Sequence, residues 1–286
     1  MSTPNIQASL AFQHGYQFQK QFDEEQHKAY KQLTLGDMKP VSAFMAKTWQ
    51  FAPSGASKSQ LGQAAVGLAK AMVDTYDKNS DGQLNFEEYF ASSSGPYLEI
   101  MVQRGDLDKV KDYIIQHTKA AIVPIKPFAP AEFSAQFENG LQENKSLLDD
   151  VLKQPRNTGQ KTFQIEDING DKQLDLSEIA VHQILRSSCI EFARQASKNK
   201  PLPESPATDL LNQFLSLYQH AGVKLNEFMD MKSAAIQAFL ASMQAKITNQ
   251  DDEVFVSNEV YHNVAKQALE DPELQIPQFV QQLKTK

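Results

Sequence analysis

Apolar residues return along this chain at intervals of three and four, the spacing of an amphipathic helix. Phe18, Phe22, Ala29 and Leu33 share one face of a predicted helix from His14 to Leu33. A second helix, from about Ser42 to Phe51, carries Trp49. Leu61, Ala65, Leu68, Met72 and Tyr76 line one side of a third, Gln60 to Tyr76. Leu107, Val110 and Ile114 mark another that ends near Lys119. Phe133, Phe137, Leu141, Leu148 and Leu152 mark a long one that stops at Gln154-Pro155. Ile179, Val181, Leu185, Cys189 and Phe192 form a further stripe, as do Leu210, Leu211, Phe214, Leu217 and Tyr218. Ile236, Phe239, Leu240, Met243 and Ile247 follow, then Val260, Val264 and Ala268, and a short last helix at Ile276–Leu283. The fold class expected is all-α. Linkers are expected at Ala52–Gln60, at Ser92–Pro96 and, most clearly, at Ser197–Asp209.

Two polar stretches interrupt the helices with a common pattern. The first is Asp77–Glu88, DKNSDGQLNFEE. Oxygen side chains stand at loop positions one, three, five, nine and twelve: Asp77, Asn79, Asp81, Asn85 and Glu88. Gln83, at seven, offers its backbone carbonyl, and Gly82, at six, permits a sharp turn. A hard divalent cation takes six to eight oxygens, and a closing Glu supplies two of them. This order of residues is the calcium-loop pattern. The alternative is an acidic surface turn built from Asx residues. The second stretch is Asp167–Glu178, DINGDKQLDLSE, with Asp167, Asn169, Asp171, Asp175 and Glu178 at the same positions and Gln173 at seven. It departs at position six, where Lys172 replaces Gly and Gly170 stands two residues earlier. A side chain forced to left-handed φ costs about 1–2 kcal/mol there. Asp175 in place of Asn adds a carboxylate. Asn85 and Glu88 also have the spacing of a capping box, so the first loop starts the helix that leaves it.

The apolar residues at position eight, Leu84 and Leu174, belong to a longer series: Val41, Leu84, Phe128, Leu174, Leu225 and Phe255. The first four are 43, 44 and 46 residues apart. The frames around Phe128, Leu225 and Phe255 are read as degenerate: Ala121–Glu132 has Ala, Val and Ile at positions one, three and five and is equally a Pro-rich connector, Gly222–Phe228 is a truncated loop, and Thr248–Glu259 offers too few anionic oxygens. The layout resembles the EF-hand superfamily and, in number and spacing of units, the six-hand calbindin and secretagogin group. The resemblance implies cytosolic calcium binding, with helices that open to expose an apolar groove in sensor members. Loops joined in pairs by a short β-bridge at position eight would unite Val41 with Leu84, Phe128 with Leu174, and Leu225 with Phe255. The regions expected are 1–95, 96–197 and 205–286.

Composition narrows the function classes. The chain has 286 residues, 41% of them apolar and 22% charged, enough for a large core. Its net charge of −7 argues against a nucleic-acid partner. The single cysteine, Cys189, allows no intramolecular disulfide, which suits a reducing compartment. No leader, myristoylation glycine or membrane span is read, so a cytoplasmic protein is expected. No GxSxG, GxxxxGK[ST], HExxH or GxGxxG is present, the six His are dispersed, and no enzyme is expected. His182 and Cys189 are expected in the core rather than on a metal. The expected function is a calcium sensor with two Ca²⁺ sites and a protein or peptide target, with Met229, Met231 and Met243 as groove candidates. A calcium buffer, or a scaffold clipped by calcium, is the alternative.

Overall fold

The computed structural model describes residues 6–34, 51–53, 55–93, 95–106, 108–109, 154–185 and 258–284. The expected features at 35–50, 110–153 and 186–257 lie outside the described residues. These include Trp49, Val41, Phe128, Leu225, Phe255, Cys189, the three methionines, the Ser197–Asp209 linker and almost all of the three degenerate frames. Among the described residues the fold is all-α, with one isolated bridge and no strand. A 3-10 turn at Ile6–Ala8 precedes α1 (Leu10–Thr34), α2 (Lys58–Tyr76), α3 (Phe86–Ser92) and α4 (Gly95–Gln103). Then come α5 (Pro155–Glu166), α6 (residues 176–185), α7 (Asn258–Glu270) and α8 (Ile276–Lys284).

The second of these helices is the centre of the fold. It is started by a capping box in which Ser57 accepts from the Gln60 amide and Gln60 caps Ser57 in return. The expected stripe of Leu61, Ala65, Leu68, Met72 and Tyr76 is buried, but so are Gly62, Ala64, Val66, Gly67, Ala69 and Ala71. A helix apolar on nearly every side has to be enclosed by others, and α1, α3 and α8 pack on it. Described parts of all three expected regions therefore share one core, from Ile6 and Phe12 through Leu68, Phe163 and Ile184 to Leu274 and Phe279.

The long N-terminal helix starts four residues earlier than its apolar pattern predicts and turns a different face inward. Phe12, Gly15, Gln19 and Asp23 are buried, while Phe18 and Phe22 are half-buried. The reason is close approach: a Cβ at Gly15 would overlap the backbone of Ala64, and one at Gly67 would overlap the carbonyl of Phe12. Small residues, not large ones, set this crossing.

That crossing buries a carboxylate. Asp23 Oδ1 accepts from Gln19 Nε2 at 2.9 Å, but Asp23 Oδ2 and the Tyr76 hydroxyl are buried without a hydrogen-bond partner. Burial pushes Asp23 from its ordinary 3.8 up to about 6, against the lowering pull of the Gln19 hydrogen bond and of nearby His27 and Lys20. Below about pH 4 the carboxyl is neutral in folded and unfolded chains, and its contribution to stability is whole. As pH rises through 6 the fold must ionise a group that the unfolded chain already holds ionised, so stability is lost. Asp23→Asn keeps the acceptor for Gln19 and offers a donor toward Tyr76. It is expected to raise stability at pH 7 by roughly 1–3 kcal/mol and to change little at pH 4. Urea midpoints of both proteins at the two pH values check this.

Two breaks that the sequence predicts are helix starts. The expected linker at Ser92–Pro96 is a brief turn in which Ser93 caps α3, and α4 begins at Gly95. Pro155 occupies the first turn of α5, where its missing N–H costs nothing.

Candidate metal centre

Each candidate loop hangs between two helices, Asp77–Glu88 between α2 and α3, and Asp167–Glu178 between α5 and α6. The leading helix ends alike in both: the Asp77 amide donates to the Val73 carbonyl at 2.9 Å, and the Asp167 amide to the Phe163 carbonyl at 2.9 Å. Val73 and Phe163 are buried beneath.

Inside the loops the hydrogen bonds repeat position for position. Asp77 Oδ1 accepts from the amides of Ser80 and Asp81, and Oδ2 from Gly82 at 2.8 Å. Asp167 accepts in the same way from Gly170, Asp171 and Lys172. Asn79 Oδ1 accepts from the Asp81 amide and Asn169 Oδ1 from the Asp171 amide; Asp81 and Asp171 accept from the amides of Gln83 and Gln173. Glu88 Oε1 accepts from Lys78 and Asn79, and Oε2 from Asn85. Glu178 mirrors this with Ile168, Asn169 and Asp175. Asn85 and Asp175 cap the amides of Glu88 and Glu178, so the predicted capping box is present in the first loop and repeated in the second. Both glutamates are buried at 3% exposure.

The backbone explains the displaced glycine. Positions four and six are left-handed in both loops: Ser80 at φ 61° and Gly82 at 84°, Gly170 at 77° and Lys172 at 67°. Each loop has one glycine for two such positions, at six in the first and at four in the second. The expected strain at Lys172 is therefore present, and Ser80 carries its counterpart, which the motif alone does not flag. Lys172→Gly is expected to stabilise the chain by roughly 1 kcal/mol, read as a higher urea midpoint. Gly82→Ala is expected to do the reverse.

The two loops face each other through Leu84 and Leu174. Each donates its amide to the other's carbonyl at 2.9 Å in an antiparallel bridge, and both side chains are fully buried. This corrects the expected pairing of Leu84 with Val41 and of Leu174 with Phe128. Two loops with equal backbone shape and the same apolar residue at position eight pair across 90 residues of chain, and sequence proximity does not decide it. Around the bridge, Phe163 meets Tyr89 and Phe86 edge-on at 5.5 and 5.8 Å. The Tyr89 hydroxyl donates to buried Glu166 at 2.7 Å, and His182 Nε2 lies 3.1 Å from the same oxygen. His182 thus sits on a carboxylate within the fold. Arg156 reaches from α5 to Glu87 at 2.6 Å and Glu99 at 3.1 Å, over the rings of Phe86 and Phe90. That hydrogen bond holds the Glu87 carboxyl below its usual range. Tyr89, Arg156 and Glu166 carry no motif, and the sequence offers no signal for their roles.

The donor set tests whether a hard cation fits. Every candidate side-chain ligand is an oxygen, and the carboxylates number three in the first loop (Asp77, Asp81, Glu88) and four in the second (Asp167, Asp171, Asp175, Glu178). A carboxylate accepts about four bonds; Asp77, Glu88, Asp167 and Glu178 each accept three from amides, which leaves acceptor capacity on each. Glu178 is pushed up to about 7, first by burial and then by the charge of Asp175, although three amides pull it down. Gln173 Oε1 is buried with no partner. The donors are hard oxygens, the type a divalent cation takes. Among the described residues no three His, Cys, Asp or Glu side chains gather as a metal-holding group. Nor does any described helix have the length and apolarity to cross a membrane. Comparison of the chain with protein-family models, with curated proteins and with solved structures finds no match.

Proposed function

We propose that this chain is a calcium-binding protein of the EF-hand type, with one ion held by Asp77, Asn79, Asp81, Gln83, Asn85 and Glu88 and a second by Asp167, Asn169, Asp171, Gln173, Asp175 and Glu178. The observation that carries the reading is the position-for-position repetition of one hydrogen-bond pattern in two twelve-residue loops joined back to back. Bound calcium would supply the full positive charge that amide N–H groups supply only in part. The chain's own residues do the rest. Asp77 and Asp167 end the leading helices, while Glu88 and Glu178 tie the start of each loop to the first turn of the following helix. Any change in how these carboxylates are satisfied is thus felt by four helices, α2, α3, α5 and α6. The role that follows is a calcium-responsive protein of the cytoplasm acting on a protein or peptide target, without enzymatic activity.

A second reading, calcium as a structural clip, is favoured by one observation: the apolar surface of the central helix is already covered by the chain's own helices. Binding of an apolar dye separates the two, since a sensor increases it with calcium and a clip does not. Thermal unfolding tests what both share. Millimolar calcium is expected to raise the midpoint over that in chelator, because a site with a micromolar dissociation constant adds about 4 kcal/mol at a thousandfold excess of ligand. An unchanged midpoint contradicts the proposal.

A further inference from the structure

The two helices that lead into the candidate loops are both contacted by one segment, the helix pair α7 and α8. The first of the pair packs on α5, and His262 Nε2 lies 2.9 Å from the carbonyl of Ile165, two residues before Asp167. Its partner α8 packs on α2 and on the Ile6–Ala8 turn. Leu274, Ile276, Phe279 and Val280 are buried there. The seat on α2 is close: a Cβ at Gly62 would overlap the Leu274 carbonyl. Lys58, at the start of α2, pairs with Asp271 at 3.3 Å and Glu273 at 2.9 Å, both in the turn between α7 and α8. One segment thus spans the leading helix of the first loop and that of the second.

We infer that α7 and α8 form an intramolecular strap whose seating is linked to filling of the two loops. The inference rests on the calcium-binding reading and names its regulation. Its warrant is that the strap is seated in the same conformation in which Glu88 and Glu178 are buried and bonded to amides at both ends of their loops. A segment that holds α2 and α5 in that arrangement favours the loop geometry that their ends, Asp77 and Asp167, define. Linkage is reciprocal: whatever the strap adds to ion affinity, the ion adds to seating of the strap, typically a factor of about 5–150. The segment that responds to the ion is then this chain's own amphipathic pair.

Amide hydrogen exchange of the full chain, with calcium and with chelator, reads the strap directly, because exchange from a docked helix requires it to open. Exchange in residues 276–284 is expected to slow by at least about fivefold with calcium. Lys58→Glu, a change at the partly exposed rim, is expected to weaken calcium binding severalfold. Combining it with Asp271→Lys and Glu273→Lys is expected to restore the affinity, a recovery that general damage to the fold does not produce. Two bound ions with unaltered exchange in 276–284 would overturn the strap and leave the calcium reading standing. No bound ion would overturn both. Loss of affinity in Lys58→Glu without recovery in the charge-swapped chain would also count against the strap.

Discussion

Glu88→Gln is expected to lower the calcium affinity of the first loop by roughly a hundredfold while leaving the second at its own value, and Glu178→Gln to do the converse. Among the proposed ligands, the glutamate at position twelve bonds to both ends of its loop. Glu88 holds the amides of Lys78 and Asn79 through one oxygen and that of Asn85 through the other. Glutamine keeps one oxygen and replaces the other with an NH₂ donor. Whichever way the amide is turned, a donor then faces either a backbone N–H or a cation. A charge-assisted bond to such a group contributes about 1.5–3 kcal/mol, and a tenfold change in affinity is about 1.4 kcal/mol, hence the hundredfold estimate. Neither substitution touches Leu84 or Leu174, whose bridge joins the two loops, so the main loss is expected at the loop whose glutamate is changed and the other loop serves as the internal comparison. Titration of each variant alongside the wild type reads the effect, and equal affinities in all three would contradict it.

The largest loss of stability is expected from Gly67→Ala. The added Cβ would lie on the carbonyl of Phe12, and backbone cannot rotate away as a side chain can. The two helices must then move apart along a crossing that also holds Gly15 against Ala64. Overpacking of this kind costs about 1–3 kcal/mol, and more when no side chain can yield. The gain of about 1 kcal/mol from replacing a helical glycine by alanine does not offset it. The melting midpoint is expected to fall by roughly 2–8 °C. A midpoint equal to or above that of the wild type would show that the α1–α2 crossing is looser than described.

The loops and the helix pattern were legible in different degrees, for physical reasons. The order of oxygen-bearing residues at 77–88 and 167–178 is local chemistry that can be read off the sequence, as is the left-handed backbone forced on Lys172. The need for left-handed backbone at position four was not legible, because Ser80 and Gly170 look like ordinary loop residues. Helix faces are legible where large apolar residues do the packing, as at Leu61, Leu68 and Met72. On α1 the contact is made by Gly15, which leaves no mark in an apolar pattern. Pairing of Leu84 with Leu174 rather than with nearer position-eight residues depends on tertiary packing of α3 against α5, and no local signal records it. The helix Gly95–Gln103 was hidden because Gly-Pro reads as a break, although proline is at home in a first helical turn.

The account stands most directly on a calorimetric calcium titration of the intact chain, previously stripped with chelator. It predicts binding of two ions per chain, with dissociation constants in the range of about 10⁻⁷–10⁻⁵ M. Heat no greater than that of dilution, up to millimolar calcium, would contradict it.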